Sequence, residues 1–468
     1  MEILKNFKSF FDSSSEFDNT IKINPNEKLL VSYLFSSAQT NFKKLINKLT
    51  KTNVKYFYWS EVERNVRFLA IDSLFTIKTN GQERINDAEN LINYWQKKFI
   101  NNWQDYNLNC VPLFVGGIKF SPDQQDSIWN DFADSEWFVP KYLFLEYKNN
   151  FYTVINILTY KRDTKEFEKH LNIISHFFEE DDYSVEAPVK FITNLPDDKN
   201  EWESKVKQTL QRIHQHEFKK IVISRRVEMT LSGNPDVYKL LNELETKYPT
   251  CHVFAFRASH STFFGATPEV LARIYDGYIE ADALAGSFPR GKDEIEDKKF
   301  ENELLHSKKN LAEQSAVVEF ITDSFSEFSE GIIFDAEPKV KKLPNIQHLW
   351  TPIKAKIKQD QSIFSIIKSI FPTPAICGIP WSESMDFIRE VEGYSRGLYA
   401  GVIGWFNFNK ESKLVVAIRS ALLKDRKLYA FAGCGIVDGS DPQSEYFETE
   451  LKLKPILSLF DIDKNFVN

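Results

Sequence analysis

The hydrophobic residues of this chain alternate with polar residues in some segments and recur at helical spacing in others. The run Lys-Ile-Val-Ile-Ser-Arg at 220–225 alternates, so that Lys220 and Val222 share one face of a predicted strand. Asp276 and Gly277 separate two further alternating segments, a pattern typical of a β-hairpin with a two-residue turn. We expect more strands where hydrophobic runs begin near residues 400, 414 and 427.

Helical periodicity appears in two segments of the second half of the chain. Asn200, with Glu203 three residues later, fits a capping box that opens a helix with one apolar stripe. The stripe consists of Trp202, Val206, Leu210 and Ile213. A charged segment from about 294 to 325 carries an apolar residue every seven positions, which predicts one long amphipathic helix. This mixture of meandering strands and single helices favours an α+β fold, with large, mostly antiparallel sheets packed with helices, over a doubly wound fold.

The first part of the chain carries no combination of residues that is typical of a functional site. Residues 1–195 contain aromatic-rich strand-like and helix-like runs, such as Lys55–Trp59. A polar break at 195–200 indicates a boundary. We therefore expect 1–195 to be an N-terminal scaffold region of the same α+β fold, and 196–468 to carry the functional residues.

Composition narrows the possible classes of protein. The 468 residues are 42% hydrophobic, which is ample for a sizeable core. A net charge of −7 leaves no broad basic surface and argues against nucleic-acid binding. The four cysteines lie far apart and match no metal-binding spacing. The first residues lack the apolar core of a signal peptide and no stretch resembles a membrane span, so we expect a cytoplasmic protein without membrane contact.

A segment near residue 440 combines two glycines with two acidic residues. Gly433 and Gly435 flank one small residue, so the backbone there can approach an anion and offer its amide N–H groups. An Asp-Pro pair at 441 is typical of a helix start, and Glu445 and Glu448 would share one face of that helix. Two adjacent carboxylates suit Mg²⁺, which prefers oxygen ligands, although a solvated acidic face explains the same pattern.

Eight ordered segments of the chain resemble the chorismate-utilising enzymes, and most closely the isochorismate synthases. The segments are Lys220–Arg225, Thr267–Glu269, Ala283–Ser287 with Arg290 and Gly291, Leu343–Thr351, Pro372–Gly378, Arg396–Gly401, Ala417–Ser420 and the segment from Ala432 to Glu448. The resemblance covers about residues 200–460. It implies the fold of that family, with 196–468 as the chorismate-binding catalytic domain.

The resemblance also implies the chemistry of an isomerase. Isochorismate synthases add water at C2 of chorismate while the C4 hydroxyl group leaves, which needs a base on one side of the ring and an acid on the other. By resemblance, Lys220 is the base that activates water and Glu269 is the acid that protonates the leaving hydroxyl. Both roles need shifted pKa values. Without the resemblance, Lys220 would be interpreted as a solvated residue at a strand end and Glu269 as a turn residue.

Metal-binding and substrate-binding residues follow from the same resemblance. It assigns Mg²⁺ to Glu313 and Glu445, with Glu448 close by, and the metal would bridge to the ring carboxylate of chorismate. The substrate-binding residues would be Ser287, His348, Tyr399, Arg419, Gly433 and Gly435. Arg419 would bind the enolpyruvyl carboxylate through its planar guanidinium group, helped by the Tyr399 hydroxyl and the amides around the two glycines. An ordinary half-buried histidine is the alternative interpretation of His348.

Some positions depart from the family pattern. These are Asn310, where many relatives have an acidic residue, Gln314 and Phe371, where histidine is usual, and Cys434, where alanine is usual. None of these positions belongs to the proposed acid, base or metal pair. Cys434 is interpreted as a small packing residue.

Other members of the family remain as alternatives. Anthranilate synthases and aminodeoxychorismate synthases both use ammonia and usually work with a glutaminase. Lys220 argues against the first class, whose members typically lack this lysine, and Ala285 argues against the second, whose members tend to have lysine there. No motif indicates an obligate partner, so we expect a monomer without an obligate glutaminase. Salicylate synthase shares the acid, the base and the metal, and is the main alternative; a non-catalytic binding module is a further one. The sequence does not distinguish menaquinone biosynthesis from siderophore biosynthesis.

Overall fold

The structure is a computed structural model that describes residues 2–13, 27–122, 126–159, 164–177, 189–192, 198–358 and 361–460. The helices are α1 (Glu2–Ser13), α2 (Phe42–Thr50), α3 (Arg84–Gln96), α4 (Lys165–Phe177), α5 (Lys199–His214), α6 (Val237–Lys247), α7 (Glu294–His306), α8 (Lys308–Phe328), α9 (Ile363–Ile370), α10 (Trp381–Glu392) and α11 (Pro442–Leu457). Short 3₁₀ helices cover Val62–Arg64, Trp103–Tyr106 and Ser127–Trp129. In the described part of the chain, no helix has the length and apolar character needed to cross a membrane.

The strands are β1 (Leu29–Ser36), β2 (Tyr56–Glu61), β3 (Val66–Thr79), β4 (Phe99–Asn101), β5 (Phe114–Ile118), β6 (Ser135–Tyr147), β7 (Asn150–Thr159), β8 (Lys220–Thr230), β9 (His252–Ala258), β10 (Ser261–Thr267), β11 (Val270–Tyr275), β12 (Tyr278–Pro289), β13 (Ser329–Ile333), β14 (Lys339–Lys342), β15 (Ile346–Ile357), β16 (Gly378–Ile379), β17 (Val402–Phe406), β18 (Ser412–Val416), β19 (Ser420–Lys424) and β20 (Lys427–Ile436). Each of these strands pairs with at least one other, so all of them belong to a single hydrogen-bonded network.

The network has two arms that meet at β6. One arm follows the order β16-β8-β20-β19-β10-β9-β2-β3-β6-β7-β1-β4, and the other follows β6-β5-β17-β18-β11-β12-β15, with β13 and β14 along β15. Among the described strands, only β1 and β4 pair in parallel. The predicted α+β fold with large, mostly antiparallel sheets is therefore confirmed.

The strands of the N-terminal part lie inside these arms. β2 pairs with β9, and β5 pairs with β17. The largest hydrophobic core contains Trp59 and Trp137 from the first part of the chain and Phe256 and Phe406 from the second. Residues 193–197 lie outside the described residues, so the boundary between 1–195 and 196–468 stays a prediction.

Two local expectations had different outcomes. The hairpin is confirmed, because Asp276 and Gly277 join β11 to β12 with φ angles of 49° and 78°, the left-handed values that such a turn requires. The capping box is wrong: α5 begins at Lys199 and Asp198 precedes it, without a side-chain capping hydrogen bond. Asn200 therefore lies within the first turn.

The single helix expected from about 294 to 325 is two helices, α7 and α8. Ser307 breaks the helix with extended backbone angles (φ −72°, ψ 111°), and its Oγ accepts a hydrogen bond from Asn310 N at 3.3 Å. The apolar spacing continues across the break because both helices pack against β12. Since α8 starts at Lys308, Glu313 lies in its second turn.

Candidate active site

Most of the predicted site residues lie around one cavity between β8, β12, β15, β20 and α8. Its walls include Glu269, Ser287, Glu313, His348, Tyr399, Arg419, Gly433 and Gly435. Lys220 contacts Glu313 in the wall of this cavity, while Glu445 and Glu448 lie on α11, whose Lys452 also lines the cavity. The cavity volume is only about 60 Å³, whereas ligand pockets usually enclose about 300–1,000 Å³. Wall side chains must therefore move to admit a ligand.

Lys220 is buried at the start of β8 and is paired with a carboxylate. Its Nζ lies 2.6 Å from Glu313 Oε1. Gly435 lies beside this pair, since a Cβ atom at 435 would be 2.7 Å from Lys220 Cε and 2.9 Å from Glu313 Oε1. The glycine therefore leaves the room that the ion pair needs, a role that sequence analysis missed. The proposed anion-binding role of its amide stays a prediction.

Glu269 lies between β10 and β11 and exposes 4% of its surface. Burial, followed by the nearby Asp282 carboxylate, raises the pKa of Glu269 to about 8, although Arg419 and Lys220 act in the opposite direction. The carboxyl group is therefore protonated at neutral pH, which is the state that a general acid requires.

The turn that carries Glu269 is fixed from both sides. Thr267 Oγ1 donates a hydrogen bond to Val416 O at 2.6 Å and accepts one from Glu269 N at 3.3 Å. Behind the turn, Lys341 Nζ donates to the carbonyl oxygen of residue 268 at 2.6 Å and lies 3.7 Å from Asp282. Sequence analysis missed Lys341 and Asp282, because single charged residues within strand patterns form no motif.

His348 connects Arg419 to β12. Arg419 Nη2 lies 2.9 Å from His348 Nε2, and an arginine can only donate, so Nε2 is the acceptor. His348 Nδ1 therefore carries the proton and donates towards Gly286 O at 3.2 Å or Ser287 Oγ at 3.1 Å. Burial, and then Arg419, keep the pKa of His348 well below its usual value, so the ring is neutral. The histidine is fully buried rather than half-buried, and it orients the arginine.

Arg419 is a buried cation without an acidic partner in the described part of the chain. It exposes 5% of its surface, and its Nε has no hydrogen-bond partner among the described residues. Its φ of 51° lies in the left-handed region, which costs free energy for a side chain of this size. Burial lowers the pKa of Arg419. An anionic ligand would satisfy this guanidinium group.

Tyr399 and Gly433 form a close contact in the same wall. A Cβ atom at 433 would lie 3.1 Å from the Tyr399 hydroxyl and 2.8 Å from Ile223 O, so this approach also requires a glycine. Burial raises the pKa of Tyr399, which keeps its phenol protonated and able to donate a hydrogen bond.

The three carboxylates predicted to bind magnesium are each paired with a lysine. The pairs are Lys220–Glu313, Lys309–Glu445 and Lys452–Glu448, with N···O distances of 2.6, 2.8 and 2.6 Å. Their oxygens are ligands that Mg²⁺ prefers, and each already faces a positive charge, so the donor set fits a divalent cation. Among the described residues, however, no three acidic, histidine or cysteine side chains are grouped as a metal site requires. Metal binding would therefore need the carboxylates to come closer together as well as the lysines to move away.

The departures from the family pattern have structural roles. Asn310 packs on Gly286, where a Cβ atom would lie 3.0 Å from Asn310 Cβ. Gln314 is buried, and its amide bonds the backbone of β12 at residues 283 and 285 with distances of 3.0 and 2.9 Å. Phe371 belongs to the main core. Cys434 is buried with a raised pKa caused first by burial, in agreement with a packing role.

Comparisons with known proteins identify a class of enzyme that shares this fold. Residues 16–461 match the family described as chorismate binding enzyme. Isochorismate synthase MenF of Bacillus subtilis is 31% identical over 86% of this chain and 87% of its own length. The salicylate biosynthesis isochorismate synthase of Pseudomonas aeruginosa is 30% identical, with 85% and 83% covered. Anthranilate synthase component 1 of Saccharolobus solfataricus is also 30% identical, with 82% and 89% covered.

Solved structures show the same architecture. The menaquinone-specific isochorismate synthase MenF of Escherichia coli superposes with a TM-score of 0.76 at 18% identity, covering 96% of this chain and 99% of that one. The 2,3-dihydroxybenzoate-specific isochorismate synthase DhbC of Bacillus anthracis gives a TM-score of 0.70 at 25% identity, with 89% and 99% covered. The chain belongs to the chorismate-binding enzyme family, and its fold is that of the chorismate-utilising enzymes.

Proposed function

We propose that this protein is an isochorismate synthase, an isomerase that converts chorismate to isochorismate with Mg²⁺. The observation that carries the proposal is one cavity lined by Glu269, a buried and protonated acid, and by Arg419, a buried cation without an acidic partner among the described residues. Buried Lys220 is paired with Glu313 in the wall of the same cavity. Relatives named isochorismate synthase, aligned over most of both chains, support this reaction.

Lys220 and Glu269 would each perform one of the two proton transfers. The Lys220 amine takes a proton from water as the water oxygen bonds to C2 of the ring. Glu269 gives its proton to the C4 hydroxyl, which leaves as water, and both ring double bonds shift by one position. Burial and Asp282 keep Glu269 protonated for this step. In the described structure Lys220 is paired with Glu313, so it can act as a base only after this contact opens and one ammonium proton passes to solvent.

The carboxylates of chorismate need fixed positive charge, because the chain as a whole is acidic. Arg419 would bind the enolpyruvyl carboxylate, with its guanidinium group held by His348 Nε2 at 2.9 Å. Tyr399 would add a hydrogen bond to the same carboxylate. Ser287 and the backbone at Gly433 and Gly435 would complete the wall of the pocket.

Magnesium would be held by Glu313 and Glu445, with Glu448 nearby. The bound ion would supply positive charge to the ring carboxylate of the substrate. The chain would present these carboxylates from α8 and α11. We expect the enzyme to act as a monomer and without a glutaminase partner.

The proposal is tested by incubating the purified protein with chorismate and Mg²⁺ and separating the products by chromatography. Isochorismate is the expected product. Salicylate together with pyruvate would identify a salicylate synthase instead, and formation of anthranilate or aminodeoxychorismate with ammonia would identify an aminating enzyme. Absence of all these products would refute a catalytic role. Lys220→Ala should abolish turnover, with Lys219→Ala as the control because Lys219 is exposed.

A further inference from the structure

The three lysines that hold the proposed metal ligands differ in how easily they can leave. Lys220 exposes 4% of its side chain and Lys452 exposes 15%, whereas Lys309 exposes 40%. Glu445, the partner of Lys309, exposes only 3% and is fixed on α11. Lys309 is therefore the lysine that can turn into solvent with the least change in the surrounding core.

Lys309 is also close to more than one of the three carboxylates. Its Nζ donates a hydrogen bond to Glu445 Oε1 at 2.8 Å. Although desolvation of the ammonium group opposes the effect, the carboxylates of Glu445, Glu448 and Glu313 raise the pKa of Lys309. The ammonium group thus neutralises the same carboxylates that a divalent cation would bind.

The helix itself does not favour a lysine at this position. Lys309 lies in the first turn of α8, where the partial positive charge of the helix N-terminus disfavours cations and where no acidic residue is present. The preceding residue, Lys308, is exposed and forms no ion pair within the described residues. The site carboxylates, rather than the helix, hold Lys309 in place.

We propose that Lys309 is an internal counter-cation of the metal site, which occupies Glu445 until a divalent cation displaces it. This inference rests on the proposed function, because it takes Glu313, Glu445 and Glu448 as the metal ligands. On displacement, the ammonium group turns into solvent and the Glu445 oxygen turns to the metal. The affinity for Mg²⁺ is then set by competition with Lys309 for one carboxylate.

Titration calorimetry with MgCl₂ tests this competition without any turnover. Lys309→Met and Lys309→Gln should bind Mg²⁺ with a dissociation constant roughly three- to tenfold lower than the unmodified protein, as expected when one partly exposed ion pair no longer competes. Lys308→Met removes a neighbouring positive charge without an ion pair, and should leave the constant within about twofold. The glutamine variant keeps a hydrogen-bond donor near Glu445, and the binding measurement can be made on it if the methionine variant does not fold.

The possible failures are distinguishable. An unchanged or higher dissociation constant in both Lys309 variants would overturn the role of Lys309 while leaving the metal site intact. An equal increase in Mg²⁺ affinity in Lys308→Met would also overturn the role of Lys309, because removal of any nearby positive charge would then have the same effect. Absence of Mg²⁺ binding to the unmodified protein would overturn the metal site, and the inference with it.

Discussion

Replacing Glu269 with glutamine should stabilise the protein while it abolishes turnover. The folded protein holds the carboxyl group protonated with a pKa of about 8, whereas in the unfolded chain the pKa is near 4.5. Between these values the folded state binds one more proton than the unfolded state, so the stability of the unmodified protein falls as pH rises. Glutamine has a similar size and does not titrate, so the variant should not lose stability in this way as pH rises.

The magnitude follows from the interval between the two pKa values. At about 1.4 kcal/mol for each pH unit above 4.5, the buried carboxyl group costs roughly 1 kcal/mol near pH 5.5 and roughly 3 kcal/mol near pH 7. Glu269→Gln should therefore gain about these amounts in the free energy of unfolding, and the gain should level off above about pH 8.

Urea unfolding followed by tryptophan fluorescence near pH 5.5, 7 and 8 measures this gain, and chromatography of the products measures turnover. Glu61→Gln is a control for which the opposite change in stability is expected. Although burial acts the other way, Lys413 and His252 keep the pKa of Glu61 below its usual range, so this variant should lose stability at neutral pH. A neutral or destabilising effect of Glu269→Gln at pH 8, or substantial remaining turnover, would refute the assignment of a buried, protonated acid.

Three further outcomes are expected. Gly435→Ala should reduce kcat at least about tenfold, because the new Cβ would lie 2.7 Å from Lys220 Cε; unchanged kcat in a variant with a normal circular dichroism spectrum would contradict this. Asp282→Asn should lower the pKa of Glu269, so the alkaline limb of the kcat/KM profile against pH should move to lower pH, and an unmoved limb would exclude this electrostatic influence. Arg419→Lys should raise KM for chorismate about tenfold or more, because lysine lacks the planar fork, and an unchanged KM would remove the residue from the carboxylate site.

Sequence patterns were sufficient to predict the class of fold and many of the individual strands, helices and turns. Alternation of polar and apolar residues predicts β8, and the Asp-Gly pair at 276 predicts the hairpin, because both signals depend only on neighbouring residues. The break at Ser307 was missed, since the apolar spacing continues across it, while Ser307 Oγ accepts a hydrogen bond from Asn310 N and caps the start of α8. Helix boundaries of this kind depend on capping geometry rather than on periodicity.

The sequence by itself determined which residue types could serve the site, because ordered motifs identify Lys220, Glu269 and Arg419 whatever their surroundings. Only the tertiary structure decided their states. Burial of Glu269 and the nearby Asp282 raise its pKa, and the pairing of Lys220 with Glu313, 93 residues away, depends on how α8 packs against β12 and β15. Protonation and ion pairing are set by distance and solvent exposure, which a linear pattern of residues does not contain.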